Sequence, residues 1–183
     1  VKNKIINGIP DWVYEEEFSF SKGFHWSPDG NKIAYYRFDE SEVKEFQMMM
    51  WGDLYPHTNN FKYPKAGEDN SVVSIHVYNV INQETITMDI GVETDIYIPR
   101  ISWTKDPEIL SIQWMNRLQN ELKILLADAT SGKTETIYSE ENKYYIDISE
   151  NLTFLDDKEH FIFTGEQDGY NHIYLYDMLG NLE

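Results

Sequence analysis

Three consecutive carboxylates, Glu15-Glu16-Glu17, follow Asp11 and the apolar residues Trp12, Val13 and Tyr14. Pro10-Asp11 suits a helix start, and acids are favourable in a first helical turn, so a short helix is predicted over 11–17. Two readings of the acids stay open. A charge run of this kind forms a solvated face. Alternatively it forms a cation site. Adjacent helical residues point about 100° apart, yet both can reach one ligand at the end of a short helix. An ammonium has three N–H donors and no acceptor, so two converging carboxylates would match its charge and its geometry. Like charges held together raise each other's pKa, and a bound ammonium relieves that repulsion, so such a pair would discriminate a charged amine from a neutral amide. Calcium is the competing use, but the EF-hand spacing is absent. No metal site is predicted, and no cofactor.

Nucleophilic chemistry finds no support. There is no Gly-x-Ser-x-Gly elbow. His25, His57, His76, His160 and His172 lack Ser and Asp partners in recognisable order. Cysteine is absent, which removes disulfides, thiolate metal sites and a Cys nucleophile. The net charge of −17 argues against duplex nucleic acid and anionic lipid as partners. No apolar run is long enough to span a membrane. The segment 1–4 has no apolar stretch of the signal-peptide kind.

The acids need a scaffold, and the composition points to strands. Aromatic residues make up 15% of the 183 residues, too many for a disordered acidic chain and favourable for β-structure. A loose repeat runs through the chain. Trp26-Ser27-Pro28-Asp29-Gly30, Trp103-Thr104-Lys105-Asp106-Pro107 and Phe154-Leu155-Asp156-Asp157-Lys158 each place an aromatic before a turn and a hydrophobic strand. Each is followed by a hairpin with its turn near Asn82, Gly132 or Gly180, spaced 50 and 48 residues apart. That period, with about four short strands per unit, fits β-propeller blades; a plain β-sandwich is the alternative. Strands are predicted at 33–38, 73–79, 109–114, 122–127, 160–163 and 172–176. The expected fold is all-β: about three and a half four-stranded blades of a partial propeller. Propellers close with four to eight blades, so the chain reads as a fragment.

The first unit is too long. Trp26 to Asn82 is 56 residues, against 29 from Trp103 to Gly132 and 26 from Phe154 to Gly180. An insertion therefore falls at about 44–65. It carries Phe46, Met48, Met50, Trp51, Tyr55 and Tyr63, and insertions lie on the surface, where Met and aromatic clusters mark contact surfaces. The alternative is a loop folded back on the same domain.

At Asp11-Trp12-Val13-Tyr14-Glu15-Glu16-Glu17 the chain resembles the double-glutamate motif of the dipeptidyl peptidase IV family, serine exopeptidases of the prolyl oligopeptidase superfamily. The similarity continues in order through Trp26-Ser27-Pro28-Asp29-Gly30, 37–43, Tyr63-Pro64-Lys65-Ala66-Gly67 with Asn70, Asn116-Arg117-Leu118-Gln119-Asn120 and 165–176. The resemblance implies the middle part of an eight-bladed N-terminal propeller beside an α/β-hydrolase domain that this chain lacks. It implies that Glu16 and Glu17 bind the α-amine of a peptide with a free N-terminus and a penultimate Pro or Ala. Glu15 would be structural, with Trp12, Val13 and Tyr14 packing the helix. The insertion would be the family's arm to a dimer partner. The parent would release X-Pro or X-Ala dipeptides with a Ser-His-Asp triad in the absent domain, in the periplasm, outside the cell or at its surface, and the fragment alone would be inactive. Two alternatives remain: a non-catalytic TolB-like propeller acting as an interaction module, and a tripeptidyl peptidase of the same superfamily with its acidic anchor farther from the serine.

Overall fold

A computed structural model describes residues 4–183; residues 1–3, and with them most of the segment weighed above as a signal peptide, lie outside the described residues. The chain starts as strand β1 (Ile5–Asn7), leaves the sheet as helix α1 (Trp12–Phe18), and returns as β2 (Phe24–Trp26). Both short strands pair antiparallel with the same edge of β3 (Lys32–Asp39): Asn7 lies opposite Arg37, and Phe24 opposite Tyr35. The edge strand is thus a single row interrupted by the helix.

The break is sealed by backbone. Gly8 N–H donates to the Tyr36 carbonyl at 2.9 Å, Gly23 N–H donates to the Gly8 carbonyl at 3.0 Å, and Tyr36 N–H donates to the Gly23 carbonyl at 2.9 Å. The two ends of the excursion cross so tightly that a Cβ on Gly23 would stand 3.0 Å from the Gly8 carbonyl carbon and 3.1 Å from the Ile9 nitrogen. A side chain here would press on backbone, so glycine suits the point where the chain leaves and rejoins the sheet.

After β3 comes a ribbon of β4 (Glu45–Met50) and β5 (His57–Lys62), which pair only with each other. The first sheet is completed by β6 (Val72–Asn79) and β7 (Thr85–Thr87). The second sheet contains β8 (Ile96–Trp103), β9 (Ile109–Asn116), β10 (Glu121–Asp128) and β11 (Thr134–Glu141) in sequence order. The third contains β12 (Thr153–Phe154), β13 (His160–Gly165) and β14 (His172–Asp177). All strand pairs are antiparallel. This is the expected all-β propeller architecture with one short helix. Each predicted strand is present, extended by a residue or two. The four-strand expectation holds for the second sheet; the first has five strands because its edge is split by the helix, and the third has three.

Alternation explains the core. Along β3, Ala34, Tyr36 and Phe38 are buried while Ile33, Tyr35 and Arg37 are not, and Val73, Ile75 and Val77 continue that face on β6. Both faces of β9 are buried, because its sheet lies between two others. Polar clasps join neighbouring sheets. The Lys32 ammonium pairs with Glu108, Trp103 Nε1–H donates to the His25 carbonyl at 3.0 Å, and Asp89 N–H donates to the Gly132 carbonyl at 2.8 Å.

Candidate functional site

Helix α1 is short and is held by its ends and one face. Asp11 is the N-cap: its carboxylate accepts from Tyr14 N–H at 2.9 Å and from the Ser71 hydroxyl, and the residue is buried. Burial pushes the Asp11 carboxyl above the ordinary carboxylate range, although these hydrogen bonds oppose the shift. Ser19 ends the helix in the left-handed region at φ 55°. Tyr14 and Phe18 point inward, each 1% exposed. The Tyr14 ring meets Phe18, Phe20, Tyr36, Phe38 and Tyr97 edge-on, and its hydroxyl accepts Ile98 N–H at 2.9 Å. Burying a side chain such as Phe18 contributes about 1.5–3 kcal/mol, so a helix far too short to persist in water is fixed by its packing. The prediction of a helix over 11–17 is met with a shift of one residue, Asp11 serving as the cap.

The opposite face carries the acids. Glu15, Glu16 and Glu17 are all exposed. They differ in partners. Glu17 Oε1 accepts the side-chain N–H of Gln119 at 2.7 Å. The side chains of Glu15 and Glu16 make no hydrogen bond or ion pair among the described residues. Tyr145 stands beyond Gln119, its hydroxyl donating to Gln119 Oε1 at 2.9 Å. Burial raises the Tyr145 phenol above its ordinary value, and the charges of Glu17 and Asp147 add to this. From Tyr145 an open groove continues past Asp147 and Glu150, the latter paired with Arg100, to Glu166. No group of acids and histidines with metal-binding geometry occurs among the described residues.

Of the supporting residues, Tyr14 packs as expected, and Val13 lies half-buried against the core. Trp12 faces another way, onto Tyr63 at a centroid distance of 4.1 Å. Tyr63 also meets Phe46, at 5.3 Å, so both half-buried rings form the root of the ribbon. Its far end is bare: Met48 is 42% exposed, Met50 40%, Trp51 79% and Tyr55 79%. The stretch at about 44–65 contains the extended antiparallel pair β4 and β5. Sequence reasoning assigned no role to Gln119, although it quoted the turn that contains it, and it passed over Tyr145 and Ser71. The sequence offers only a polar turn with Gln119 between two asparagines, and its burial is visible only in the structure; nothing local marks Tyr145.

Residues 2–183 match the family described as the dipeptidyl peptidase IV (DPP IV) N-terminal region. Among solved structures, the chain is similar to dipeptidyl peptidase 4 of Porphyromonas gingivalis, with a TM-score of 0.91 and 41% identity, covering 99% of this chain and 26% of that one. It is 32% identical to human prolyl endopeptidase FAP across 98% of this chain and 26% of that protein. It is 35% identical to venom dipeptidyl peptidase 4 of Apis mellifera across 77% of this chain and 20% of that protein. The chain spans roughly a quarter or less of the length of these relatives. No helix among the described residues is long and apolar enough to cross a membrane. With its split edge strand, acidic helix and successive antiparallel sheets, the chain belongs to the dipeptidyl peptidase IV N-terminal region family.

Proposed function

We propose that this chain is the amine-binding part of the propeller of a serine-type dipeptidyl peptidase. Glu16 and Glu17 bind the α-ammonium of a peptide substrate, and the polypeptide beyond this chain supplies the Ser-His-Asp triad. Clamping the amine at a fixed distance from the serine makes the second peptide bond the scissile one. It thereby selects X-Pro and X-Ala N-termini and rejects blocked ones. The observation that carries this reading is the placement of α1. Seven residues leave an edge strand, bury Tyr14 and Phe18, and present adjacent carboxylates outward from a rigid base, one of them braced by a neutral amide. Binding energy at such a remote group serves to orient the reacting carbonyl.

The ribbon at about 44–65 is, in the same proposal, an inserted arm that docks on a second copy, making the enzyme a homodimer. Its exposed Met and aromatic residues are of the type found at interface cores. A periplasmic, secreted or cell-surface location follows from the same reading.

The test uses the full-length protein. Glu16→Gln and Glu17→Gln should each lower kcat/KM on a Gly-Pro reporter by roughly 10- to 1000-fold, while Glu15→Gln is nearly silent. N-acetyl-Gly-Pro should not be cleaved by the parent. Faster cleavage of an Ala-Ala-Pro reporter than of Gly-Pro would replace the dipeptidyl reading with a tripeptidyl one. A double Gln variant with parental turnover would remove the anchor assignment altogether.

A further inference from the structure

We propose that Gln119 is a positioning residue of the amine anchor, and that Tyr145 fixes the direction of its amide; the proposal rests on the anchor reading above. Gln119 lies 102 residues from Glu17, in the turn between β9 and β10, and is 9% exposed. A carboxylate only accepts hydrogen bonds, so the amide nitrogen must face Glu17 and the amide oxygen must face away. That oxygen receives the Tyr145 hydroxyl proton. The three groups therefore form one polarised line, Tyr145 to Gln119 to Glu17, in which every donor and acceptor is assigned by chemistry.

The backbone beneath is built to hold this geometry. Gln119 adopts φ 54°, a left-handed conformation that is costly for a residue with a side chain. Its surroundings over-determine it. Gln119 N–H donates to the Asn116 carbonyl at 3.0 Å, and Ile146 N–H donates to the Gln119 carbonyl at 2.9 Å. The Asn116 carboxamide takes the Asn120 N–H at 3.0 Å and the Glu121 N–H at 3.1 Å, and donates to the Asn120 side chain at 2.7 Å. A residue in a left-handed conformation enforced by its surroundings, with its side chain sent to helix α1, is the pattern of a supporting residue at a functional site.

The residue type is informative. An Arg or Lys at this place would also hold Glu17, but it would neutralise the carboxylate that an ammonium needs. A glutamine orients one oxygen of Glu17 and leaves its full negative charge and its second oxygen for the ligand. Glu16 has no such brace among the described residues. The pair is accordingly unequal: one carboxylate is preset and the other closes on the amine.

The experiment measures discrimination in the full-length protein, as the ratio of kcat/KM for Gly-Pro-p-nitroanilide to that for glycolyl-Pro-p-nitroanilide, in which a hydroxyl replaces the amine. Gln119→Met keeps the chain length and removes the amide. Its ratio should fall about tenfold, the size of a lost hydrogen bond to a charged group, with most of the loss in KM. Tyr145→Phe leaves Gln119 in place and should lower the ratio about two- to threefold. A purely structural role lowers both substrates in parallel; an unchanged ratio in Gln119→Met overturns the proposal. Glu17→Gln separates the two layers. An unchanged ratio there overturns the anchor reading, whereas a collapsed ratio there with normal ratios at Gln119 and Tyr145 overturns only this inference. If Gln119→Met does not fold, Gln119→Glu decides. Its carboxyl repels Glu17 when ionised and donates to it when protonated, so the ratio, divided by the parent's at the same pH to remove titration of the substrate amine, should recover as pH is lowered from about 7 toward about 5. A pH-independent relative ratio in that variant overturns the proposal.

Discussion

Trp12 of the acidic helix lies against Tyr63 at the root of the ribbon, ring centroids 4.1 Å apart and planes inclined at 53°. The candidate anchor and the candidate arm therefore share a wall. An isolated two-stranded ribbon is at best marginally stable in water, so β4 and β5 depend on such contacts. Trp12→Ala should remove an aromatic pair worth about 0.5–1.5 kcal/mol. Hydrogen exchange should accelerate across 45–62 while β9 and β10 stay protected. Unchanged exchange in the ribbon would show that Phe46, Phe61 and Tyr63 hold it without Trp12.

The tip of the ribbon makes a separate prediction. Trp51 and Tyr55 are each 79% exposed, beside the half-exposed Met48, Met49 and Met50. Interface energy concentrates in Trp and Tyr anchors. If the ribbon is the proposed dimer arm, replacing Trp51 and Tyr55 together by Ser in the full-length protein should raise the dimer dissociation constant at least tenfold, read by light scattering across a dilution series. An unaltered dimer would remove the arm assignment while leaving the anchor untouched.

Asp11 tests how the helix is fastened. Asp11→Ala removes the cap accepted from Tyr14 N–H and the Ser71 contact, and should cost about 1–2 kcal/mol. Asp11→Asn keeps an oxygen for Tyr14 and should be tolerated. The pH dependence has a definite sign. Burial raises the native carboxyl above its ordinary value, so between the unfolded and folded pKa values the native state holds more protons. The parent then loses stability relative to Asp11→Asn as pH rises through that window, and levels off above it. Denaturant midpoints of the two proteins measured from pH 3 to 8 check this; a difference growing in the opposite direction would mean that the Ser71 and Tyr14 bonds outweigh burial.

Much of this was legible in the residues. Alternation exposed β3, β6 and β13 because each has a distinct inward face, whereas β9, buried on both faces, was legible as an apolar stretch after a turn. The spacing of Asn82, Gly132 and Gly180 exposed the repeat, and the surplus length of the first unit exposed the ribbon. What stayed hidden was non-local. The split edge strand depends on Gly8 and Gly23 crossing, which no local pattern announces. The edge strand β8 is rich in strand-forming residues but contains Pro99, which demotes it in a sequence reading, yet it pairs with β9 on both sides of a register shift between Tyr97 and Arg100. Glu17 and Gln119 meet across 102 residues, and a sequence names such a pair only when the fold has been worked out.

The repeat itself yields the last prediction. Gly132 and Gly180 sit in equivalent hairpin turns at φ 77° and 87°, and in the first unit the matching turn has Gln83 at φ 63°. The left-handed conformation alone therefore does not demand glycine. The difference lies in what the turn touches. Gln83 is exposed, whereas a Cβ on Gly132 would collide with the Thr87 carbonyl oxygen of the preceding sheet, and one on Gly180 with the Ile137 carbonyl oxygen. Each of these glycines seats a blade's turn on the outer strand of its neighbour, and at Gly132 the Asp89 N–H bonds to its carbonyl at 2.8 Å. Gly132→Ala must add left-handed strain of about 1–2 kcal/mol to an overpacking cost of about 1–3 kcal/mol. A loss of about 2–5 kcal/mol is expected at either glycine, whereas Gln83→Gly should stay within about 1 kcal/mol of the parent. Guanidinium unfolding of the three variants in the full-length protein measures this. Equal effects at Gly132 and Gln83 would mean that backbone conformation, and not the docking of one sheet on the next, selects glycine in these turns.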